Sequence, residues 1–223
     1  MIVAGIDLSL SCTGLALVRS PERVETSTVT SKPPPPGTET LRSRFERMEK
    51  ISEGVLAVAG NADIVGIEAP AYGMRNAGKV HDRSGLWWHI VALLEREGVP
   101  VVEVSPPSRM MYATGKGNAG KDLVLVTAAS TYKQASITGN DVADAVVIAA
   151  MVSRLVGQPI ELREPAQAKL KALAKVHMPA ALGAAVAWRK GCRGVSKAGC
   201  GTEVRRAHPS HITPSASWFH PRA

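Results

Sequence analysis

The chain has 223 residues, 45% of them apolar and 21% charged, enough to bury one full core with an appendage, as soluble globular proteins do. Three cysteines, Cys12, Cys192 and Cys200, make no disulfide framework, which argues against a small secreted scaffold and for a reducing cytoplasm. The net charge of +8 is uneven: residues 1–160 hold 16 Lys and Arg against 16 Asp and Glu, whereas residues 161–223 hold 11 against 3. A basic segment on a neutral domain suits an anionic partner, with nucleic acid ahead of a membrane surface, or else a merely solvated tail.

The amino terminus is apolar but lacks a basic start and contains Asp7, so no signal peptide is expected. Ile2–Leu8, Gly14–Val18 and Val24–Thr30 read as three strands joined by short turns, an antiparallel meander. Pro33–Pro36 forms a stiff connector. Leu41, Phe45, Met48, Ile51, Val55 and Val58 then recur at helical spacing within Thr40–Ala59. Ile64–Ile67 reads as a buried strand, followed by a long helix ending near Glu97 and a further strand in "VPVVEV". A glycine-rich loop, "ATGKGNAG", precedes a helix from Lys121 to about Tyr132. "NDVADAVVIAAMVSRLVG" is a strongly helical stretch closed by Gly157. Helical connections between strands imply parallel pairing, so the expected fold is α/β: a mixed five-stranded sheet, antiparallel meander first and parallel strands after, flanked by helices. The expected organisation is a domain over 1–160, a C-terminal helix over 161–178 and a basic tail over 179–223. The longest late apolar run, Met178–Trp188, is too short to span a bilayer, so no membrane partner is expected.

Two strands share an odd feature. "VAGID" and "DIVGIE" each run apolar and end Gly-Ile-acid, at Asp7 and Glu68. An unpaired buried carboxylate costs several kcal/mol, on the order of a domain's whole stability. Asp141 and Asp144, three apart, project from one face of the last strong helix, whose remainder is apolar enough to pack in the core. Acids in a first turn also suit the helix dipole, but a strand acid has no such explanation. Four carboxylates gathered without basic partners would repel one another unless cations lie between them. Hard divalent ions, Mg²⁺ or Mn²⁺, fit such a set, and a pair of them can activate water and stabilise the leaving oxygen of a phosphodiester.

At these residues the chain resembles a family. "AGIDLSLSCTGLALV", "VGIEAPAYG", "TGKGNAGKDLV" and "NDVADAVVIAA" are similar, in order and spacing, to the landmark segments of RuvC-type Holliday junction resolvases, most of all the bacteriophage branch. The resemblance covers about Met1 to Gly157. It implies a ribonuclease H-like fold, a homodimer, and nicking of four-way DNA junctions with two Mg²⁺ or Mn²⁺ ions per site. The family's acidic tetrad falls on Asp7, Glu68, Asp141 and Asp144, and its lysine on Lys121. An aromatic that stacks at the junction falls on Tyr72. A basic DNA contact before the glycine loop falls at Met110, with Arg109 beside it.

Other signals are weaker. "GKGNAGK" imitates a P-loop, but Asp122 stands where Ser or Thr should hold Mg²⁺ and no buried strand precedes it, so no nucleotide cofactor is expected. Its glycines read better as a phosphate-backbone contact alongside Lys116 and Lys121. Arg75, Lys79 and Arg83 form one basic helix face, either a DNA stripe or a solvated surface. Trp87 and Trp88, among apolar neighbours, read as core or dimer interface, and Cys12 as a small buried hydrophobe. Cys192, Cys200, His208 and His211 have zinc-ligand chemistry, but their spacing fits no common finger. A junction-resolving endonuclease leads. A related nuclease acting on other DNA or RNA, and a junction-binding protein without catalysis, remain as alternatives.

Overall fold

The computed structural model describes residues 1–70 and 77–179. Tyr72, Arg75 and the tail residues Cys192, Cys200, His208 and His211 lie outside the described residues, as does the side chain of Lys79. The chain opens with β1 (Val3–Asp7), β2 (Cys12–Ser20) and β3 (Arg23–Thr30), an antiparallel meander. Helix α1 (Leu41–Ala59) leads to β4 (Ile64–Glu68), and α2 (Ala77–Arg96) leads to β5 (Val101–Val104). Strand order is β3-β2-β1-β4-β5, with β4 parallel to β1 and β5 parallel to β4. This is the mixed five-stranded sheet that the strand and helix spacing predicts.

Four helices complete the described chain: α3 (Pro106–Thr114), α4 (Lys121–Thr131), α5 (Asn140–Leu155) and α6 (Gln167–Leu173). The sheet separates two cores. Ala4, Ile6, Leu15, Leu17, Val65 and Ile67 face α1 and α2, while Val3, Ala16, Val18, Ile64, Val102 and Val104 face α5 and its neighbours. Side chains alternate across a strand, so Gly5 and Asp7 share the face of Val3, and Gly66 and Glu68 share the face of Ile64. The repeated Gly-Ile-acid is thereby explained. In each strand isoleucine fills the α1/α2 core, while glycine and acid face α5.

The glycines are there because α5 lies almost on the sheet backbone. A Cβ on Gly5 would stand 2.2 Å from the Ala145 carbonyl oxygen, and one on Gly14 would stand 2.0 Å from that of Asp141. On Gly66 it would meet Ile148 and Val152 methyls at 2.7 Å. Such approach is closed to any residue with a side chain.

Helix α3 is absent from the sequence reading, which treats "PPSRMMYA" only as no buried strand. Ser105 caps it, accepting a hydrogen bond from the Ser108 amide, and Pro106 and Pro107 occupy its first positions, where a missing N–H costs nothing. Gly115, at φ +81°, ends it in the left-handed conformation that glycine adopts freely.

The expected C-terminal helix spans only Gln167–Leu173, and Ala172, Leu173 and Val176 join the α5 core. Glu161 ties this segment down. Its side chain, 6% exposed, accepts hydrogen bonds from the Tyr112 hydroxyl at 2.5 Å, the Tyr132 hydroxyl at 3.1 Å and Arg154 Nη2 at 3.0 Å. Burial first, and then Glu161, push both tyrosine hydroxyls well above their ordinary range. Removing one partner of such a network leaves the others buried and unmatched. Glu161→Ala should therefore cost about 3–5 kcal/mol, read as a lower midpoint of urea unfolding. An unchanged midpoint would mean that this segment does not brace the domain.

Candidate active site

Asp7 and Glu68 end adjacent parallel strands. Pairing runs Val3 with Ile64 through Ile6 with Ile67, so the two acids follow side by side at the carboxyl edge of the sheet. Asp7 also pairs with Gly14 on β2, and Gly14 is where the backbone of Asp141 rests. Seating α5 on its three glycines thus brings Asp144 to the strand acids, with Asp141 beside Asp144 and against Cys12.

The turn after Asp7 is pinned. Buried Thr13 donates its hydroxyl to the Ser9 carbonyl at 2.8 Å and accepts from the Ser9 amide at 3.1 Å. From α1, Arg47 Nη2 donates to the Leu10 carbonyl at 2.6 Å. On β4, the Glu68 carbonyl accepts from the Trp87 indole at 2.9 Å, so Trp87 is a core residue with a structural hydrogen bond, whereas Trp88 is 64% exposed.

The carboxylates do have a basic partner, contrary to the premise drawn from the sequence. Arg109, on the first turns of α3, is 7% exposed. Its Nε donates to Glu68 Oε1 at 2.6 Å and its Nη1 donates to Asp144 Oδ1. The sequence resemblance sets Arg109 among DNA contacts; the structure places its guanidinium inside the carboxylate cluster. Burial works against its charge, but Glu68 and Asp144 more than restore it, and its pKa rises.

One guanidinium does not neutralise the cluster. Asp7 is pushed up to about 8, first by burial and then by the charges of Glu68 and Asp144. Asp144, 5% exposed, is pushed to about 6 by burial, with Glu68 and Asp141 raising it further and Arg109 and Lys121 opposing. Cys12 is half-buried, a correction to its reading as a small buried hydrophobe. Burial and the neighbouring Asp141 carboxylate push its thiol to about 11, so the thiol stays protonated. Lys121 opens α4 and is exposed, within electrostatic reach of Asp144. Lys116 is exposed on the loop before it. That loop follows a helix, not the strand that a P-loop needs.

The donor set is all carboxylate oxygen and retains excess negative charge, which is the chemistry of a site for hard divalent cations. Among the described residues, no three His, Cys, Asp or Glu side chains are gathered as a ready metal cage. The Arg109 fork holds one oxygen each of Glu68 and Asp144. Next to the site, a cleft of about 470 Å³ opens between Ala69–Pro70, Pro106–Pro107 and the C-terminal Lys175 and His177. Among the described residues no helix is long and apolar enough to cross a membrane.

No family model matches the chain, and no curated protein sequence does. Solved structures do. Thermus thermophilus RuvC superposes with a TM-score of 0.51 at 24% identity, covering 71% of this chain and 98% of that one. T. thermophilus RuvC in complex with a Holliday junction substrate gives 0.50 at 23%, covering 67% and 90%. A fowlpox virus resolvase bound to substrate Holliday junction DNA gives 0.45 at 12%, covering 70% and 99%. With its mixed five-stranded sheet flanked by helices, the chain has the ribonuclease H-like fold of RuvC.

Proposed function

We propose that this chain is a metal-dependent, structure-selective endonuclease that resolves Holliday junctions or other branched DNA by hydrolysing phosphodiesters. One observation supports the reading: in a RuvC-like fold, Asp7 at the end of β1 is crowded by Glu68 from β4 and Asp144 from α5, with Asp141 beside Asp144, and burial with like charge raises the carboxyls of Asp7 and Asp144. The four carboxylates would hold two Mg²⁺ or Mn²⁺ ions, which supply an activated water and charge stabilisation at the scissile phosphate. The chain's own residues do the rest. Strands β1 and β4 would position two of the carboxylates, and α5 would supply the other two. Lys121, solvent-facing at the start of α4, can meet the phosphate or protonate the leaving oxygen. Lys116, Arg75, Lys79 and the basic tail would contact phosphates, and Tyr72 would stack at the branch point.

A homodimer belongs to the same reading. Leu41 and Phe45 on α1 and Trp88 on α2 stay 80%, 52% and 64% exposed, and apolar side chains of this size favour burial against a second copy. A second reading, junction binding without catalysis, is favoured by Arg109 if its guanidinium is a permanent counter-ion.

Cleavage of a synthetic four-way junction against linear duplex, with Mg²⁺ and with chelator, tests the proposal. Paired Mg²⁺-dependent nicks in the junction alone support it. Binding without cutting favours the second reading, and cutting of duplex or RNA indicates a related nuclease. Within the first reading, Lys121→Ala should lower the single-turnover rate about 10²-fold or more with little change in junction affinity. Equal losses in rate and affinity would reduce Lys121 to a backbone anchor.

A further inference from the structure

Arg109 is buried and paired with two acids of the cluster, so it does not face solvent as a surface DNA contact would. It reaches from α3 across 41 residues of sequence to Glu68 and 35 to Asp144, and the carboxylates it holds come from two different elements. Its side chain and that of Asp144 are each 8% exposed. A cation held jointly by Glu68 on β4 and Asp144 on α5 would draw on the same two carboxylates that Arg109 holds. Arg109 and a divalent ion therefore want the same lone pairs.

We infer that Arg109 is a built-in counter-ion that holds Glu68 and Asp144 in the metal-free protein and must release them to the incoming cations, making metal binding and DNA binding mutually dependent. The inference rests on the metal-nuclease reading above and deepens it.

Formal charge supports the coupling. With every carboxyl ionised, as cation binding requires, four carboxylates and one guanidinium leave three negative charges, which attract cations. Two divalent ions would turn that into one positive charge, the match for a single phosphodiester. A guanidinium displaced from its carboxylates while still buried is costly, so without DNA the exchange is uphill. A phosphate at the site offers Arg109 a new planar, bidentate acceptor and makes the exchange easy. Linkage is reciprocal: DNA tightens metal binding by the same factor by which metal tightens DNA binding. The device would leave free protein poorly loaded and unable to nick until a backbone is seated.

The test reads cation affinity directly, without turnover. Ca²⁺ serves as the probe because it takes oxygen ligands, and gels of the same samples confirm that the junction is intact. Titration calorimetry compares wild type, Arg109→Gln and Arg109→Lys, free and bound to a four-way junction, with circular dichroism to confirm folding. Arg109→Gln should bind Ca²⁺ on the order of tenfold tighter than wild type in free protein. Junction DNA should tighten wild-type Ca²⁺ binding by a similar factor and leave Arg109→Gln nearly unchanged. Should Arg109→Gln fail to fold, Arg109→Lys decides: a lysine has one point of contact where the fork has two, so its Ca²⁺ affinity should also exceed wild type. Equal affinities in wild type and variants, with no effect of DNA, would overturn the counter-ion role and leave the metal site intact. No Ca²⁺ or Mn²⁺ binding by wild type, free or on DNA, would overturn the metal-nuclease reading itself.

Discussion

Asp7→Asn should abolish junction cleavage and, in metal-free protein, make the fold more stable at neutral pH. The two effects share one cause. Asp7 is pushed to about 8 in the fold by burial and by Glu68 and Asp144, against an ordinary 3.8. A carboxyl raised on folding contributes stability that is fully present below about pH 4 and is lost as pH rises through about 8. Metal-free wild type should thus weaken steadily across that window, by on the order of a few kcal/mol. Asparagine does not titrate and keeps the size and hydrogen-bonding capacity of the protonated acid, so the variant should lack most of this slope. A divalent cation should restore wild type and do little for the variant. Thermal unfolding at pH 5 and pH 8, with chelator and with Mg²⁺, measures all of this. A variant that follows the wild-type pH profile, or cuts at the wild-type rate, would remove Asp7 from the centre of the site. Such a trade, stability given up for a strained cluster of like charges, is common where catalysis needs it.

Gly14→Ala is the second large effect, and it acts through backbone alone. Its Cβ would sit 2.0 Å from the Asp141 carbonyl oxygen and 2.9 Å from the Val142 amide nitrogen, so no side chain can swing aside to make room. Either β2 bends or the start of α5 lifts, and lifting α5 carries Asp141 and Asp144 away from Asp7. A loss of about 3 kcal/mol or more is expected, with cleavage falling further than the unfolded fraction explains. Gly85→Ala is the control. Nothing lies within 4 Å of its Cβ, it sits inside α2, and alanine should gain about 1 kcal/mol there. Urea unfolding of the two variants beside wild type gives both numbers. If Gly14→Ala keeps wild-type stability, α5 does not rest on β2 as described.

The site itself divides into a part that local patterning specifies and a part that only folding assembles. Strand alternation places Asp7 and Glu68 on one face, and the three-residue step places Asp141 and Asp144 on one helix side. Both are periodicities of a few residues, so they are readable from the chain. The mixed sheet follows likewise, since short turns permit antiparallel pairing and helix-length connections require parallel pairing. The sequence also carries a start signal for α3, Ser105 followed by two prolines, although its short apolar pattern is weak beside it.

Arg109 is different in kind. Nothing within several residues of it hints at Glu68 or Asp144, and a lone arginine between Ser108 and Met110 reads as a surface residue. Its burial follows from α3 packing against α5 and β4 packing beside β1, contacts fixed only when the whole sheet has formed. The same holds for Cys12 against Asp141 and for Glu161 among Tyr112, Tyr132 and Arg154. The sequence alone therefore determined the fold class and which faces of β1, β4 and α5 carry the four acids, because those rest on short-range period and strand polarity. Which cation first answers those acids was decided by tertiary structure, because that depends on side chains brought together across 35 to 41 residues.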